Sequence, residues 1–261
     1  MSALLSVDDL SVTFSVGRGR SNHELKAVDH ASLSVDGGEI VGLVGESGSG
    51  KSTISRVVCG LQRDYEGAVR FDGAELTPKR TRHEWRQIQM VFQDPFASLD
   101  PRMTIGAMLD ELIRYHRIVP RGESRRRAEH VLDLVQLPAQ FLRRTPASMS
   151  GGQRQRVAIA RALVLEPRVL VADEAVSALD VSVQAGIITL LADLRAELGL
   201  GVLFIAHDLA VVRSLCDRVA VIHHGRIVEE NTTEALFDAP TDDYTRRLLD
   251  AVPRFTSAYL D

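Results

Sequence analysis

Short apolar runs separated by polar turns recur along this chain and predict its strands. Four runs are nearly continuous in apolar character, and they lie at residues 40–44, 88–92, 168–172 and 202–206. Such runs are typical of parallel strands that are buried on both faces. Residues 4–16 and 31–35 instead alternate apolar and polar side chains, as half-buried strands do, and residues 68–73 add a strand and turn. The pattern predicts an α/β fold with a mainly parallel sheet and an antiparallel β layer.

Apolar residues at helical spacing fill residues 100–145, and Ala128, Val131, Leu132 and Val135 are an example. We therefore predict a helical subdomain, at about residues 98–163, inserted into the α/β domain. The whole chain, 1–261, is expected to form one domain, with a C-terminal extension at about residues 236–261.

Two polar segments are interpreted as solvent-exposed. The glycine-rich residues 17–22 are expected to form a surface loop, and the three arginines at 125–127 a solvated helix face.

Composition narrows the class of protein. The chain has 261 residues, of which 45% are hydrophobic and 25% charged, as in an ordinary globular protein. Its net charge of −4, with both signs interspersed, argues against nucleic acid as the main partner. No apolar run approaches the ~18 residues needed to cross a bilayer, and no secretory signal is evident, so we expect a cytosolic chain. Cys59 and Cys216 lack metal-ligand spacing and are predicted to be small core residues.

The segment GESGSGKST, residues 45–53, fits the phosphate-binding pattern G-x-x-x-x-G-K-[ST] between a predicted strand and a helix. Its glycines let the backbone wrap phosphates, and the following helix points its N–H groups at them. Lys51 is expected to reach the β- and γ-phosphates, and the Ser52 hydroxyl to ligate Mg²⁺. The predicted nucleotide-binding residues of this loop are Gly45, Ser47, Gly48, Ser49, Gly50, Lys51, Ser52 and Thr53. The alternative is an ordinary glycine-rich turn before a helix.

Polar residues also follow the other three apolar runs. Gln93 is placed to meet a metal ion or the attacking water, although a Gln at a strand end is often only a loop residue. Of Asp173 and Glu174, one is expected to hold Mg²⁺ and the other to polarise the water that attacks the γ-phosphate. His207 ends the last run. A lone His is more often a structural residue, but sites of open α/β sheets lie at the carboxyl ends of strands, so His207 is a candidate for the site.

Two further features are candidates for nucleotide contacts. Phe14 is predicted either to stack on an adenine ring or to face the core as an ordinary strand residue. Ser150, Gly151, Gly152 and Gln153 open a predicted helix and form an incomplete anion site, which could close on a nucleotide held by another chain.

The chain closely resembles the ATPase subunits of ABC transporters, which have a P-loop NTPase fold. The resemblance lies in six segments that occur in this order: GESGSGKST, Gln93, MSGGQ, VLVADE, SALD and AHD. Within this family, the chain resembles the importer branch for oligopeptides, dipeptides and nickel. Four segments carry this narrower resemblance: FQDPFASLDPRMTIG, ALDVSVQA, FIAHDLAVVR and YTRRLLDAVP. Three differences from the usual pattern are Met149 for Leu, Ala175 for Pro, and Asp242-Asp243 for His-Pro.

The resemblance implies a role for each motif. Lys51 and the loop amides would bind the phosphates of ATP, Ser52 and Gln93 would contact Mg²⁺, and Asp173 would support the metal. Glu174 would act as general base and His207 would sense the γ-phosphate. Ser150, Gly151, Gly152 and Gln153 would bind ATP held by a partner ATPase, and Asp180 of SALD would be a nucleotide-binding residue.

The resemblance also implies partners: two transmembrane permease subunits, a second and non-identical ATPase, and indirectly an extracellular solute-binding protein. The chain would lie peripherally at the cytoplasmic face of the membrane. Three alternatives stay open, namely a soluble ABC-type ATPase of DNA repair or translation, an exporter ATPase, and a small-molecule P-loop kinase.

Overall fold

The computed structural model describes residues 3–16, 23–120, 122–177 and 179–251 of the chain. Its strands are β1 (Leu5–Val16), β2 (His23–Val35), β3 (Ile40–Val44), β4 (Glu66–Phe71), β5 (Ala74–Glu75), β6 (Ile88–Val91), β7 (Val169–Asp173), β8 (Gly201–Ile205), β9 (Arg218–His223) and β10 (Arg226–Thr232). Its helices are α1 (Lys51–Val58), α2 (Arg82–Gln87), α3 (Pro95–Ser98), α4 (Ile105–His116), α5 (Ser124–Leu134), α6 (Gly151–Leu163), α7 (Val181–Leu198), α8 (Leu209–Leu215), α9 (Thr233–Asp238) and α10 (Asp243–Asp250). The predicted loop at 17–22 lies outside the described residues.

The central sheet has six strands in the order β10-β9-β3-β8-β7-β6. All neighbours pair in parallel except β9 and β10, which are antiparallel. The continuous apolar runs of the sequence form β3, β6, β7 and β8, which lie side by side. Their carboxyl ends therefore meet along one edge of the sheet.

The two faces of this sheet belong to two apolar cores, which explains why its strands are apolar at successive positions. Leu170 and Ala172 of β7 face a core shared with the helices α4 to α8. Val169 and Val171 face a second core formed with α1 and the antiparallel sheet. Both layers therefore support the same strand from opposite sides.

The antiparallel layer has the order β2-β1-β4-β5. Phe14 of β1 pairs directly with Leu25 of β2, near the end of this ribbon. Because β2 begins at His23, it is longer than the 31–35 segment that alternation alone indicated.

The helices α4, α5 and α6 and two short 3₁₀ helices, Ala139–Arg143 and Pro146–Ser148, follow the strand β6. Within this part the interpretation of residues 125–127 as a solvated face is wrong for Arg127. Its side chain is only 14% exposed, pairs with Glu166 at 3.4 Å and donates to the Leu163 carbonyl at 3.1 Å. Arg127 thus joins α5 to the end of α6, a contact that the local charge pattern did not reveal.

Other predictions concern burial. Cys59 and Cys216 are buried core residues, as predicted, and burial raises the pKa of the Cys59 thiol to about 12. In the described part of the chain, no helix combines the length and apolar character needed to span a membrane.

Candidate nucleotide-binding site

The segment between β3 and α1 is a loop in which glycine is required at two positions. A Cβ atom on Gly45 would lie 2.2 Å from the Ile222 carbonyl oxygen, and one on Gly50 would lie 2.6 Å from the Ala27 oxygen. Gly50 also has a φ of 114°, which L side chains rarely adopt. The loop is thus held tightly against β2 and β9, and Gly48, with φ 79° and open space around it, lies on the free side.

Lys51 is the first residue of α1 and lies beneath the loop, with 5% of its surface exposed. Its Nζ donates to the carbonyl oxygens of Gly45 at 2.8 Å and Glu46 at 2.7 Å. Burial lowers the pKa of Lys51, while the nearby carboxylates of Glu174 and Asp173 raise it. An anionic ligand would favour the charged amine in the same way as these carboxylates.

The beginning of α1 is not capped by a side chain, because Gly50 occupies the N-cap position. Its first N–H groups therefore point into the loop with the positive end of the helix dipole. This arrangement fits the phosphate groups of a nucleotide.

Asp173 lies at the end of β7, beside α1. Its Oδ2 accepts a hydrogen bond from the Ser55 hydroxyl at 3.3 Å, whereas its buried Oδ1 has no partner among the described residues. Burial raises the pKa of Asp173, and this effect exceeds the lowering by Ser55. A buried carboxylate oxygen without a donor is costly, so it fits a cation, and oxygen ligands are the type that Mg²⁺ prefers.

Glu174 has a left-handed backbone conformation, with φ 48°. Its N–H donates to the Ile205 carbonyl at 2.9 Å, and its own carbonyl accepts from the Ser177 hydroxyl at 3.0 Å. These bonds turn the chain sharply after β7, and the buried Ala175 and Val176 follow. Ala175, where the resemblance leads one to expect Pro, is thus compatible with a tight turn.

Gln93 and His207 follow the neighbouring strands β6 and β8. The amide of Gln93 is exposed and donates to the Ser177 hydroxyl at 3.2 Å. His207 is exposed at the end of β8. The structure thus brings Gln93, Asp173 and Glu174 to adjacent strand ends, with His207 on the strand between β7 and β3.

A cleft of about 270 Å³ lies above the loop. Its lining residues are Phe14, Leu25, Ala27, Ser47, Gly48, Gly50, Lys51, Ser52, Thr53 and Glu174. Phe14 also packs against the core beneath the antiparallel sheet, so it has both a core contact and a surface in the cleft. Both interpretations of Phe14 remain compatible with this position.

The residues Ser150 to Gln153 open α6 and do not line this cleft. Ser150 and Gln153 form a reciprocal cap, in which the Ser150 hydroxyl accepts from the Gln153 N–H at 3.4 Å and the Gln153 side chain accepts from the Ser150 N–H at 3.1 Å. Each residue keeps a donor that this cap does not use, the hydroxyl hydrogen and the amide NH₂. The segment is separate from the cleft of its own chain, so its predicted anion contact would involve a nucleotide held elsewhere.

Asp180 caps the neighbouring helix α7. Its Oδ1 accepts from the Val183 N–H at 3.0 Å and the Ser182 hydroxyl at 2.7 Å, and these bonds lower the pKa of Asp180. The cap fixes Val183, whose Cγ1 would lie 2.4 Å from a Cβ on Gly152. The structure thus gives Asp180 a clear role in helix packing beside the predicted nucleotide role.

Sequence reasoning gave no role in the site to four residues, which are Leu25, Ala27, Ser55 and Ser177. Leu25 is 53% exposed and pairs with Phe14 across the two strands. Only the register of β1 and β2 identifies it as a residue of the cleft, and this register cannot be read from the sequence. Ser55 donates a hydrogen bond to Asp173, which is 118 positions away in the sequence. Ser177 accepts one from Gln93, which is 84 positions away. Only the fold brings these partners together.

Comparison with known proteins agrees with this geometry. Residues 28–177, more than half of the chain, match the family described as "ABC transporter". A "Putative peptide import ATP-binding protein" of Brucella abortus (strain 2308) is 48% identical over 257 residues, which is 96% of this chain and 77% of that protein. A protein of the same name from Brucella ovis is 51% identical over 232 residues, 88% of this chain and 73% of the relative.

Solved structures are similar as well. A dimeric ATP-binding cassette in a post-hydrolysis state, bound to ADP and Pi, aligns with a TM-score of 0.76 at 30% identity, covering 88% of this chain and 98% of the other. CbiO1 from Clostridium perfringens, part of an ABC transporter complex, aligns with a TM-score of 0.79 at 26% identity, covering 97% of each chain. The chain thus shares its fold with a cassette that was solved with bound ADP and Pi.

Proposed function

The chain belongs to the ABC transporter family, and from this premise we propose that it is the ATP-hydrolysing subunit of an importer for oligopeptides, dipeptides or a related small solute. The observation that carries the proposal is the row of strand ends, where Lys51, Asp173, Glu174 and Gln93 lie on one edge of the sheet. The peptide specificity follows the names of the Brucella relatives. The ATPase activity is common to the family, and the peptide specificity is the part that we propose for this chain.

Each residue of the site has a chemical role in this proposal. Lys51 and the N–H groups of the loop bind the phosphates, with the loop residues Gly45, Ser47, Gly48, Ser49, Gly50, Ser52 and Thr53. Phe14 supports the adenine ring by stacking. Glu174 accepts a proton from the attacking water.

Mg²⁺ would be held by Ser52, Gln93 and Asp173, and the buried Oδ1 of Asp173 is the observation that supports this choice. When bound, the ion neutralises charge that develops on the phosphates. His207 would respond to the γ-phosphate from its position at the end of β8.

The incomplete anion site supports a second ATPase in the assembly. Ser150, Gly151, Gly152 and Gln153 of this chain would contact ATP held by the partner, and Asp180 positions the neighbouring helix in that interface. We propose that the partner is a non-identical homologue, so that ATP joins two different chains and hydrolysis releases them.

The permease contact requires a surface away from the nucleotide. A groove of about 1180 Å³ in the helical subdomain is lined by parts of α4 and α5 and by the 3₁₀ helix Ala139–Arg143, and it supports a contact with one of two transmembrane permeases. The chain would then lie at the cytoplasmic face of the membrane. An extracellular solute-binding protein would deliver the cargo to the permeases without contacting this chain.

Two experiments test the proposal at separate levels. The purified chain should bind ATP, and Lys51→Ala should lose this binding while Lys79→Ala, which changes an exposed lysine, should keep it. Equal ATP affinity in both variants would contradict the assigned phosphate site.

The second experiment identifies the partners. A tagged Glu174→Gln chain, isolated with ATP from solubilised membranes of its native host, should co-purify with two multispanning proteins and a second ATPase. Recovery in the soluble fraction alone would reject the importer and leave the ATPase chemistry in place.

A further inference from the structure

A tyrosine far outside the phosphate-binding motif contacts that loop directly. Tyr244, on the C-terminal helix α10, is 5% exposed, and its hydroxyl accepts a hydrogen bond from the Glu46 N–H at 3.0 Å. The ring of Tyr244 stacks on the ring of His223, with 3.7 Å between centroids and 14° between planes. Tyr244 is therefore fixed by its ring as well as by its hydroxyl.

The contact acts on the peptide group that joins Gly45 to Glu46. The carbonyl oxygen of this group accepts from Lys51 Nζ at 2.8 Å, and its N–H donates to Tyr244. Because a peptide group is planar, two hydrogen bonds on opposite sides fix its orientation. Tyr244 and Lys51 are thus connected through a single rigid unit of the loop.

Three hydrogen bonds to one carboxylate hold the segment before α10 in place. Glu229 on β10 accepts from the N–H and the hydroxyl of Thr241, at 2.8 and 2.9 Å, and from the Asp242 N–H at 3.0 Å. Burial raises the pKa of Glu229, but these donors lower it by more, so its pKa lies below the ordinary value. The carboxylate is therefore ionised at neutral pH, where its hydrogen bonds are strongest.

The position of Tyr244 then follows from the helix start. Asp242 caps α10 by accepting from the Tyr244 N–H at 2.8 Å. Asp242 stands where the resemblance leads one to expect His, and the aspartate supplies a strong cap. A continuous series of hydrogen bonds thus runs from Glu229 through Asp242 to Tyr244. These residues lie wholly outside the residues 28–177 that match the family.

We propose that Tyr244 is a positioning residue for ATP binding, which orients the Gly45–Glu46 peptide and thereby the phosphate loop around Lys51. The proposal rests on the proposed ATPase function and extends its site to the C-terminal segment 241–250. The loop is preorganised by this contact, so less ordering is required when the phosphates bind. Tyr244 itself does not touch the reacting atoms.

The test compares Tyr244→Phe with Thr233→Val. The first variant keeps the stacked ring and removes only the hydroxyl. The second also removes a buried hydroxyl, which donates to the Cys216 carbonyl at 2.6 Å, so it controls for a general loss of stability. Melting temperatures of both variants without nucleotide show whether each is folded.

Tyr244→Phe should weaken ATP binding about two- to tenfold, the range expected for one hydrogen bond. The KM for ATP should rise by a similar factor with little change in kcat, since the loop holds the phosphates before and during the reaction. Thr233→Val should keep the affinity and KM of the wild type, even with a lower melting temperature.

Three results would overturn the positioning role. These are unchanged ATP affinity in Tyr244→Phe, an equal loss in Thr233→Val, or a fall in kcat at constant KM. A wild-type chain that fails to bind ATP would instead reject the proposed function itself.

Discussion

The side-chain amide of Gln93 donates to the hydroxyl of Ser177 across 3.2 Å, although 84 residues separate them. The same hydroxyl donates to the Glu174 carbonyl at 3.0 Å. Ser177 therefore joins the segment after β6 to the turn after β7. Glu174 in this turn has a left-handed backbone conformation. At a residue other than glycine such a conformation raises the free energy of the folded state by of order 1–3 kcal/mol, and the hydrogen bonds of Glu174 offset part of it.

Ser177→Ala should lower the rate of ATP hydrolysis by about tenfold, because the turn that orients Glu174 loses one hydrogen bond and Gln93 loses its partner. The affinity for ATP should change less, since Ser177 does not line the cleft. Steady-state hydrolysis and nucleotide titration measure the two effects. Ser214→Ala is the matched control, because Ser214 also donates to a carbonyl three residues earlier, at 2.9 Å, but in α8. The same loss of rate in both variants would remove Ser177 from this role.

Glu174→Gln should bind ATP with near-normal affinity while hydrolysis falls by roughly 10²–10⁴-fold, the usual range for loss of a general base. The amide preserves the size of the side chain but accepts a proton poorly. Single-turnover hydrolysis with radiolabelled ATP would measure the rate. Glu129→Gln, on an exposed helix face next to Arg125, is expected to hydrolyse ATP like the wild type. Near-normal hydrolysis by Glu174→Gln would show that another group accepts the proton.

Asp173→Asn should raise the melting temperature of the nucleotide-free chain at neutral pH. The reason is that burial raises the pKa of Asp173, so the charged form is disfavoured in the folded protein. Mg²⁺-dependent hydrolysis should fall in the same variant, because the amide binds a divalent cation poorly.

The difference in stability between Asp173→Asn and the wild type should depend on pH. The folded chain binds the Asp173 proton more tightly than the unfolded chain, whose carboxyl has a pKa near 3.8. The wild type is therefore destabilised as pH rises above 3.8, and fully so above the raised pKa. The advantage of Asp173→Asn in calorimetry should shrink as pH falls toward 3.8. A constant difference at all pH values would mean that the charge of Asp173 is not its cause.

Gly151→Ala and Gly152→Ala should differ, although the two glycines are adjacent. A Cβ on Gly151 meets Leu179 at an ordinary 3.5 Å, whereas one on Gly152 would lie 2.4 Å from Val183 Cγ1. Gly151→Ala is therefore expected to melt like the wild type but to impair hydrolysis in the assembled complex, because its methyl group obstructs the partner's phosphate. Gly152→Ala should melt at a lower temperature. Full activity of Gly151→Ala in the complex would argue against the proposed contact between the two ATPases.

The sequence was most informative where the physics is local. A glycine-rich loop between a strand and a helix is a local feature, and the phosphate-binding prediction for residues 45–53 needs only their spacing. The parallel strands were also predictable, because strands buried on both faces must be apolar at successive positions.

Other features depend on contacts between distant residues. Arg127 belongs to a run of three arginines, but its side chain is mostly buried and pairs with Glu166, while Arg125 and Arg126 are exposed. The cross-strand position of Leu25 depends on the register of β1 and β2, which alternation does not specify beyond choosing a face.

By itself, then, the sequence determined which chemical groups this protein has and that they end successive strands. The tertiary structure decided which of them meet, because the sheet places β8 between β3 and β7 although it comes last of these three in the chain. It also placed Tyr244 beside the phosphate loop and Ser177 between Gln93 and Glu174. Their hydrogen bonds join residues up to 198 positions apart, and no local pattern encodes a contact that exists only after the chain has folded.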